Sequence, residues 1–424
     1  GKLIARRDYS PRCSRTQTEK CVTRSMSIIA GSAFSANIDA YHAGFEAVAE
    51  AMRKVNIEKP HLVVLFASVA YNQEQVVKGA RDAGNDAPLI GCSTAGEITD
   101  DGARTQSVVA LALWGDSLTI SPGRGTLVKD GARAAGEELA RSITENATSP
   151  IRLALMFPDV LTGNGAEVVR GMQAVLGEHF IIVGGAAGDD FAFKKTYQYF
   201  NDEVIEDGIV GVGIGGAFSI GAGVRHGWIP IGMPATVTRS KDTVVYEIDH
   251  KPAVALYEEY FGSHADEMRS EPLARIAITY PLGLKVPELE EYLIRDPITV
   301  GKDGSITCAA EIPEGSQVRL MIGSRERAIE AAQDAARKLM NDFAKAGKTP
   351  ALVFVFNCIA REKLFGAKAS EEIRAVQSVI GESVPMVGFY TYGEQAPMGG
   401  EVADPTKIHT RFYNETLVLL GIGA

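Results

Sequence analysis

The chain has 424 residues, room for two to four domains at about 100–200 residues each. Hydrophobic residues make up 46% and charged residues 23%, a balance that excludes an intrinsically disordered chain or a coiled-coil rod. The net charge of -10 repels phosphate backbones and anionic lipid headgroups, so neither nucleic acid nor a membrane surface is an expected partner.

Residues 1–25 carry Lys2, Arg6, Arg7, Arg12, Arg15, Lys20 and Arg24 against Asp8 and Glu19. They have no apolar signal-peptide region and no helical period, and are expected to form a disordered basic leader. Of five cysteines, Cys13 and Cys21 lie in the leader and Cys92, Cys308 and Cys358 beyond it. None forms a CxxC pair, which points to free thiols in a reducing cytoplasm. The uncharged stretch 209–224 is too glycine-rich for a lipid-spanning helix.

Ordered structure is predicted from SIIAGSAFS, followed by a helix over 37–54 with Ile38, Tyr41, Phe45, Val48 and Met52 at helical spacing. One unit then appears three times: an apolar strand, a helix closed by glycine, a second strand with a polar loop, and a further strand. The first copy is LVVLFA from Leu62, a helix ending at Gly84, APLIGCSTAGE, and SVVALALW from Ser107. The second is IRLALMF from Ile151, a helix ending at Gly177, HFIIVGGAAGD, and GIVGVGI from Gly208. The third is ALVFVF from Ala351, a helix ending at Gly381, VPMVGFYTYGE, and NETLVLLGIG from Asn414. Continuous apolar strands indicate that both faces are covered, and each closing glycine is expected in the left-handed region. Between the second and third copies, 240–323 reads as short strands and turns, and 324–346 as a second amphipathic helix stopped by Gly347. The expected fold class is α/β, two domains built from repeated βαβ-type units with mostly parallel or mixed sheets, spanning 26–245 and 246–424. In such sheets the polar loops at the strand carboxyl ends border the ligand crevice.

Gly211-Val-Gly213-Ile-Gly-Gly216 matches GxGxxG, but it lies inside a strand instead of opening a helix, so close backbone approach explains it better than a dinucleotide. Gly347-Lys348-Thr349 stops a helix and is no phosphate loop. Gly163-Asn164-Gly165 precedes a helix and suits an N-cap or an anion. Cys92-Ser93-Thr94 invites a nucleophile, but no His lies in its unit to act as base. Glu97, Asp189 and Glu394 each follow a loop glycine and are expected at equivalent rims, as turn caps, as a carboxylate pair, or as ligand contacts. Tyr390 and Tyr392 beside Glu394 make the third loop the most ligand-like. The seven histidines include no HExxH and no pair at helical spacing. His226, in Val224-Arg225-His226-Gly227-Trp228, has the apolar and aromatic setting of a haem ligand, with Arg225 beside it for a carboxylate.

PLIGCSTAGEI, HGWIPIG with PATVT, EIDHKPAVALYEEYFG, PLGL with YLIRDPI, and GFYTYGEQAP with NET together resemble the paired FIST N and FIST C domains of bacterial intracellular signal-transduction proteins, over residues 60–420. The resemblance implies a cytoplasmic small-ligand sensor and not an enzyme. Some stand-alone members are haemoproteins that sense nitric oxide and control a partner histidine kinase or diguanylate cyclase. The family pattern often has Gly where this chain has His250, which makes His250 a competing ligand; the helix start expected there, beside Asp249 and Lys251, favours His226. Three readings follow. The first is a haem-based nitric oxide sensor using His226. The second is a non-haem sensor of a small polar metabolite such as an amino acid, held by Cys92, Ser93, Thr94, Glu97, Tyr390, Tyr392 and Glu394. The third is a hydrolase or transferase using Cys92 or the Glu97 and Glu394 carboxyls.

Overall fold

The computed structural model describes residues 27–126, 128–262, 279–287, 289 and 291–424, so the expected leader and His264 lie outside the described residues. Each repeat is longer than the sequence pattern suggests, because it starts one strand and one helix earlier. The first unit is β1 (Ile28–Ser35), α1 (Ala40–Lys54), β2 (Leu62–Ser68), α2 (Gln73–Ala83), β3 (Leu89–Thr94), a hairpin of β4 (Glu97–Thr99) and β5 (Gly102–Arg104), and β6 (Val108–Gly115). The second is β7 (Leu118–Thr126), α3 (Val128–Glu145), β8 (Ile151–Pro158), α4 (Gly165–Leu176), β9 (Ile182–Gly185), β10 (Gln198–Phe200), β11 (Glu203–Ile205) and β12 (Gly208–Gly216).

The third unit opens with β13 (Ser219–Arg225) and then departs into an insert. The insert comprises β14 (Ile229–Lys241), β15 (Val244–Ile248), β16 (Lys251–Pro252), α5 (Ala255–Phe261), β17 (Leu282–Leu284), β18 (Leu293–Arg295), β19 (Pro297–Val300), β20 (Ile306–Cys308) and β21 (Gln317–Ile322). The unit resumes with α6 (Arg325–Ala346), β22 (Leu352–Cys358), α7 (Ile359–Phe365), α8 (Ala369–Ile380), β23 (Met386–Thr391), β24 (Glu394–Pro397), β25 (Thr410–Tyr413) and β26 (Leu417–Gly423). The helices expected over 37–54 and 324–346 are therefore α1 and α6, the first helices of their units.

Within each unit the two strands flanking the second helix run parallel, β2 with β3, β8 with β9 and β22 with β23. The closing strand lies antiparallel to the middle one, so the sheets are mixed. No unit keeps its own hairpin. The β10–β11 hairpin of the second unit pairs with β3 of the first, β24–β25 of the third with β9 of the second, and β4–β5 of the first with β23 of the third. Three six-stranded sheets are thus joined into a ring, with the edges of β3, β9 and β23 each covered by a hairpin from another unit.

At the centre the repeat places one phenylalanine per unit. Phe66, Phe157 and Phe356 occupy the same register on β2, β8 and β22, opposite Val109, Val210 and Val418. Their rings pack edge-on and tilted with Phe389, at centroid distances of 5.3 Å for Phe66–Phe157, 5.9 Å for Phe157–Phe356 and 4.5 Å for Phe66–Phe389. All four are fully buried.

The GxGxxG run lies in β12 between β7 and β8. A Cβ at Gly211 would stand 2.4 Å from the Leu155 carbonyl and 3.1 Å from Leu139 of α3, so the close approach is by the chain's own helix and strand. Of the closing glycines only Gly347 takes the left-handed helical conformation (φ 65°, ψ 33°). Gly177 and Gly381 combine positive φ with extended ψ. Gly84 has φ -78°, and the positive φ passes to Asn85 and Asp86, whose short polar side chains tolerate it.

The insert is a strongly antiparallel sheet in the order β18-β17-β21-β14-β15-β20-β19. The expected boundary at 245/246 falls within β15. Among the described residues no helix is long and apolar enough to cross a membrane.

Phe157 touches the aromatic residues of both other units, so Phe157→Ala is expected to cost about 3–5 kcal/mol, read as a lowered urea midpoint at unchanged m-value.

Candidate functional site

The loops that link each second parallel strand to its exchanged hairpin differ between units. The first and third use only 95–96 and 392–393, whereas the second runs through 186–197 before β10 begins. Asp189 shapes this extension. Its carboxylate accepts the backbone N–H groups of Phe193 (2.8 Å), Lys194 (2.6 Å) and Lys195 (2.9 Å), and the Tyr392 hydroxyl donates to it. Asp190, Phe191 and Phe193 all have left-handed φ, 53°, 67° and 51°. For non-glycine residues that conformation costs about 1–3 kcal/mol each and is held only where the surroundings impose it.

The extension forms one wall of a cavity of about 550 Å³ where the ring meets the insert, a volume typical of small-molecule sites. Val160 to Asn164, Phe191 and Phe193 come from the second unit. Cys358 to Ala360 and Tyr392 come from the third, and Asp242, Thr243, Asp296, Ile298 and Thr307 to Ala309 from the insert. Phe193 stacks on Tyr392 at 4.6 Å and 20°, and Phe191 meets Phe193 edge-on at 4.9 Å. Gly163 and Asn164 thus both line a cavity and start α4, with the Asn164 side chain accepting the Ala166 N–H at 2.9 Å.

Beneath the cavity lie further buried acids. The Asp296 Oδ1 atom and both Glu415 carboxylate oxygens are shielded from water and lack hydrogen-bond donors. These two carboxyls are neighbours, and burial raises Asp296 to about 6 and Glu415 well above its ordinary value. Two ionised carboxylates offer each other only acceptors, so the pair is held together by a shared proton.

Of the sequence-derived ligand residues, Tyr392 alone lines this cavity. Cys92 is fully buried in the ring core, where burial pushes its thiol well above the usual range. Ser93 donates to the Gly188 carbonyl (2.7 Å) and accepts from the Tyr197 N–H (2.9 Å), pinning the extension to β3. Tyr390 is buried in the third unit's core beside the turn glycine Gly96.

Glu97 and Glu394 do occupy equivalent positions, heading the exchanged strands β4 and β24, but they are not a pair facing a crevice. Glu97 accepts from the Thr94 hydroxyl (2.5 Å) and from the Ser107 N–H and hydroxyl (3.0 and 2.7 Å). Glu394 accepts from the Thr391 hydroxyl and from the Thr416 N–H and hydroxyl (3.2 and 2.7 Å). Burial outweighs these bonds and raises Glu97 to about 7 and Glu394 to about 8. Asp189 is not the third equivalent. Gln198, the first residue of β10, stands opposite Cys92 as Glu97 stands opposite Phe389 and Glu394 opposite Gly185. The long second loop displaces Asp189 from that register, and an amide takes the place of the two carboxyls.

His226 is buried at the exit from β13 toward the insert, beside a separate cavity of about 250 Å³ that Arg225, Glu291 and Tyr413 also line. The Trp228 N–H donates to His226 Nδ1 at 2.9 Å, so the ring proton sits on Nε2. Burial, then the Arg361 charge, lowers His226 to about 3, and its 3.9 Å approach to Glu291 is therefore not an ion pair. An axial ligand needs the reverse arrangement, with a lone pair on Nε2 and Nδ1 donating. The ring as placed does not fit haem iron. Arg225 donates to the Val224 carbonyl (2.7 Å) and the Gly399 carbonyl (3.4 Å). His250 is an exposed residue of the Asp249-His250 turn between β15 and β16, both with positive φ as a type I′ hairpin requires, and not at a helix start. Among the described residues no group of three or more His, Cys, Asp or Glu is arranged to hold a metal. The fold does bring His179 and His409 together, with ring centroids 4.7 Å apart, a pairing that their distance along the chain hides from any spacing rule.

Arg361, on α7, is a buried tie between ring and insert that no sequence pattern marks. It is fully buried, paired with Glu372, and donates to the carbonyls of His226, Ala328 and Glu415 (3.2 Å for the last). Its guanidinium also lies 5.3 Å from the Trp228 ring centre. It thereby ties both chain crossings between ring and insert, His226 outbound and Ala328 on the return. Removing one member of a buried ion pair strands the other, so Arg361→Ala is expected to destabilise the protein by about 3–5 kcal/mol, measured by chemical denaturation.

The raised acids set a pH dependence. The folded state holds the Glu97 and Glu394 protons above the pH at which the unfolded chain releases them, so the stability these two groups contribute is fully present below about 4.5 and is lost as pH rises through about 7 and 8. Glu97→Gln with Glu394→Gln is expected to flatten the melting temperature across that window.

The FIST N domain matches residues 61–251 and the FIST C domain residues 253–397. An uncharacterized protein of Methanocaldococcus jannaschii is 26% identical over 333 residues, covering 73% of this chain and 62% of that protein, so the chain spans less than two thirds of that relative's length. Among solved structures, cyanuric acid hydrolase from A. caulinodans aligns over 93% of this chain and 99% of its own at 7% identity and a TM-score of 0.38. A Thermotoga maritima PurLQS structure aligns over 94% of this chain and 72% of its own at 10% identity and a TM-score of 0.23. With its two domains meeting inside the insert and together covering most of the sequence, the chain belongs to the FIST family, whose domains are associated with sensing in signal transduction.

Proposed function

We propose that the protein is a sensor whose small-molecule ligand occupies the cavity between ring and insert. One observation carries this reading: a cavity of about 550 Å³ lies where the three-unit pattern is broken, between the strained second-unit loop and the third-unit insert. A ligand there touches both bodies at once, and it shifts their relative arrangement by as much as its affinity differs between the two arrangements. A tenfold change in affinity for a partner needs only about 1.4 kcal/mol of such a difference. The output passes by contact to a cytoplasmic signalling partner, for which a histidine kinase or a diguanylate cyclase is the family-derived candidate.

The test is a thermal-shift screen of the full chain against a small-metabolite library, with Ala309→Trp as a cavity-filled control. A ligand that raises the melting temperature of the unaltered protein and not of Ala309→Trp is the expected result. One that stabilises both equally would place binding elsewhere. Haem sensing of nitric oxide is the second reading, and it requires His226 to surrender its bond from Trp228. A Soret band after haemin reconstitution, lost in His226→Ala and kept in His250→Ala, would replace the cavity reading with that one.

A further inference from the structure

The geometry points to a small organic cation, a protonated amine carried on an apolar or aromatic body, as the ligand class of the cavity between ring and insert. This rests on that cavity being the ligand site and adds the sign of the ligand's charge. Glu167, Asp242 and Asp296 line the cavity, and no Lys, Arg or His is among its lining residues. Glu167 is already paired with Arg170 at 2.6 Å, and Asp242 is exposed. Asp296 is therefore the acid that decides. No backbone N–H, hydroxyl or cationic side chain donates to its shielded Oδ1, and its neighbour Glu415 is another carboxyl that holds it only through the proton they share. An ammonium group supplies what this position lacks, N–H donors together with a positive charge.

The opposite wall suits the rest of such a molecule. The stacked Phe193 and Tyr392 rings and the edge-on Phe191 offer aromatic faces, which attract cations as well as apolar groups. Phe191 already carries the Lys363 ammonium 4.9 Å from its ring centre. A ligand carboxylate would find no Lys, Arg or His among the lining residues to offset Asp296, so an amine should bind better than the amino acid with the same side chain.

Isothermal titration of the full chain with phenethylamine, phenylalanine and 2-phenylethanol tests this. Saturable binding of phenethylamine, at least tenfold tighter than of the other two, is expected, and this comparison needs no variant. Asp296→Asn should weaken phenethylamine at least tenfold and leave 2-phenylethanol unchanged, whereas Phe193→Ala should weaken both. If phenylalanine or 2-phenylethanol binds as tightly as the amine, and Ala309→Trp abolishes that binding, the cavity stands and the cation is wrong. If none of the three binds while the library screen yields a ligand sensitive to Ala309→Trp, the amine class is again overturned alone. If that screen is also empty, the cavity reading falls with it.

Discussion

Everything in this structure depends on the exchange of hairpins around the ring. A strand edge must be paired, covered or charged, and here each edge at β3, β9 and β23 is paired with a hairpin that a different unit supplies. The exchange fixes the relative register of the three units and brings Phe66, Phe157 and Phe356 to a common centre. It also dictates the turn chemistry. The carboxyls that head β4 and β24 are buried beneath the joined sheets, and the hydroxyls of Thr94, Ser107, Thr391 and Thr416 bind them there. The amide Gln198 at the third such position suits the same setting without a titratable proton.

The ring is nearly threefold, and the candidate site arises where that regularity fails. Two departures meet: a lengthened loop in the second unit and a whole sheet inserted after the first strand of the third. Both contribute to the cavity's lining. Asp189 draws the loop into place through three backbone donors and Tyr392, and Arg361 holds the two crossings into the insert. The candidate cavity and the links between ring and insert thereby lie along the same seam.

Much of the fold was legible from residue order. The apolar strands at Leu62, Ile151 and Ala351 announced middle strands covered on both faces, and the recurring Gly-to-Glu spacing correctly made Glu97 and Glu394 equivalent. The exchange was not legible, because pairing Phe389 with Glu97 joins positions on opposite sides of the chain and no local pattern encodes it. The same reason explains the misplaced ligand residues. Cys92, Ser93 and Thr94 sit at a strand end that would border a crevice in an open sheet, but the neighbouring hairpin covers that end. Gln198 escaped notice because the long loop moved it out of the glycine spacing. Asp296 and Thr307 lie in a segment whose short strands gave only turn signals, and Arg361 looks like any surface cation on a short helix.

The exchange also bears on how the chain is made. Its first hairpin must wait for β23, roughly two thirds of the sequence away, before its outer partner exists. Until then a ribosome-bound chain displays β4 as a bare, sticky border, and closure of the circle is a late, distant pairing of the kind that makes folding slow. Truncated or stalled products of this gene should therefore depend heavily on chaperones, whereas the finished circle has its three inner borders sealed.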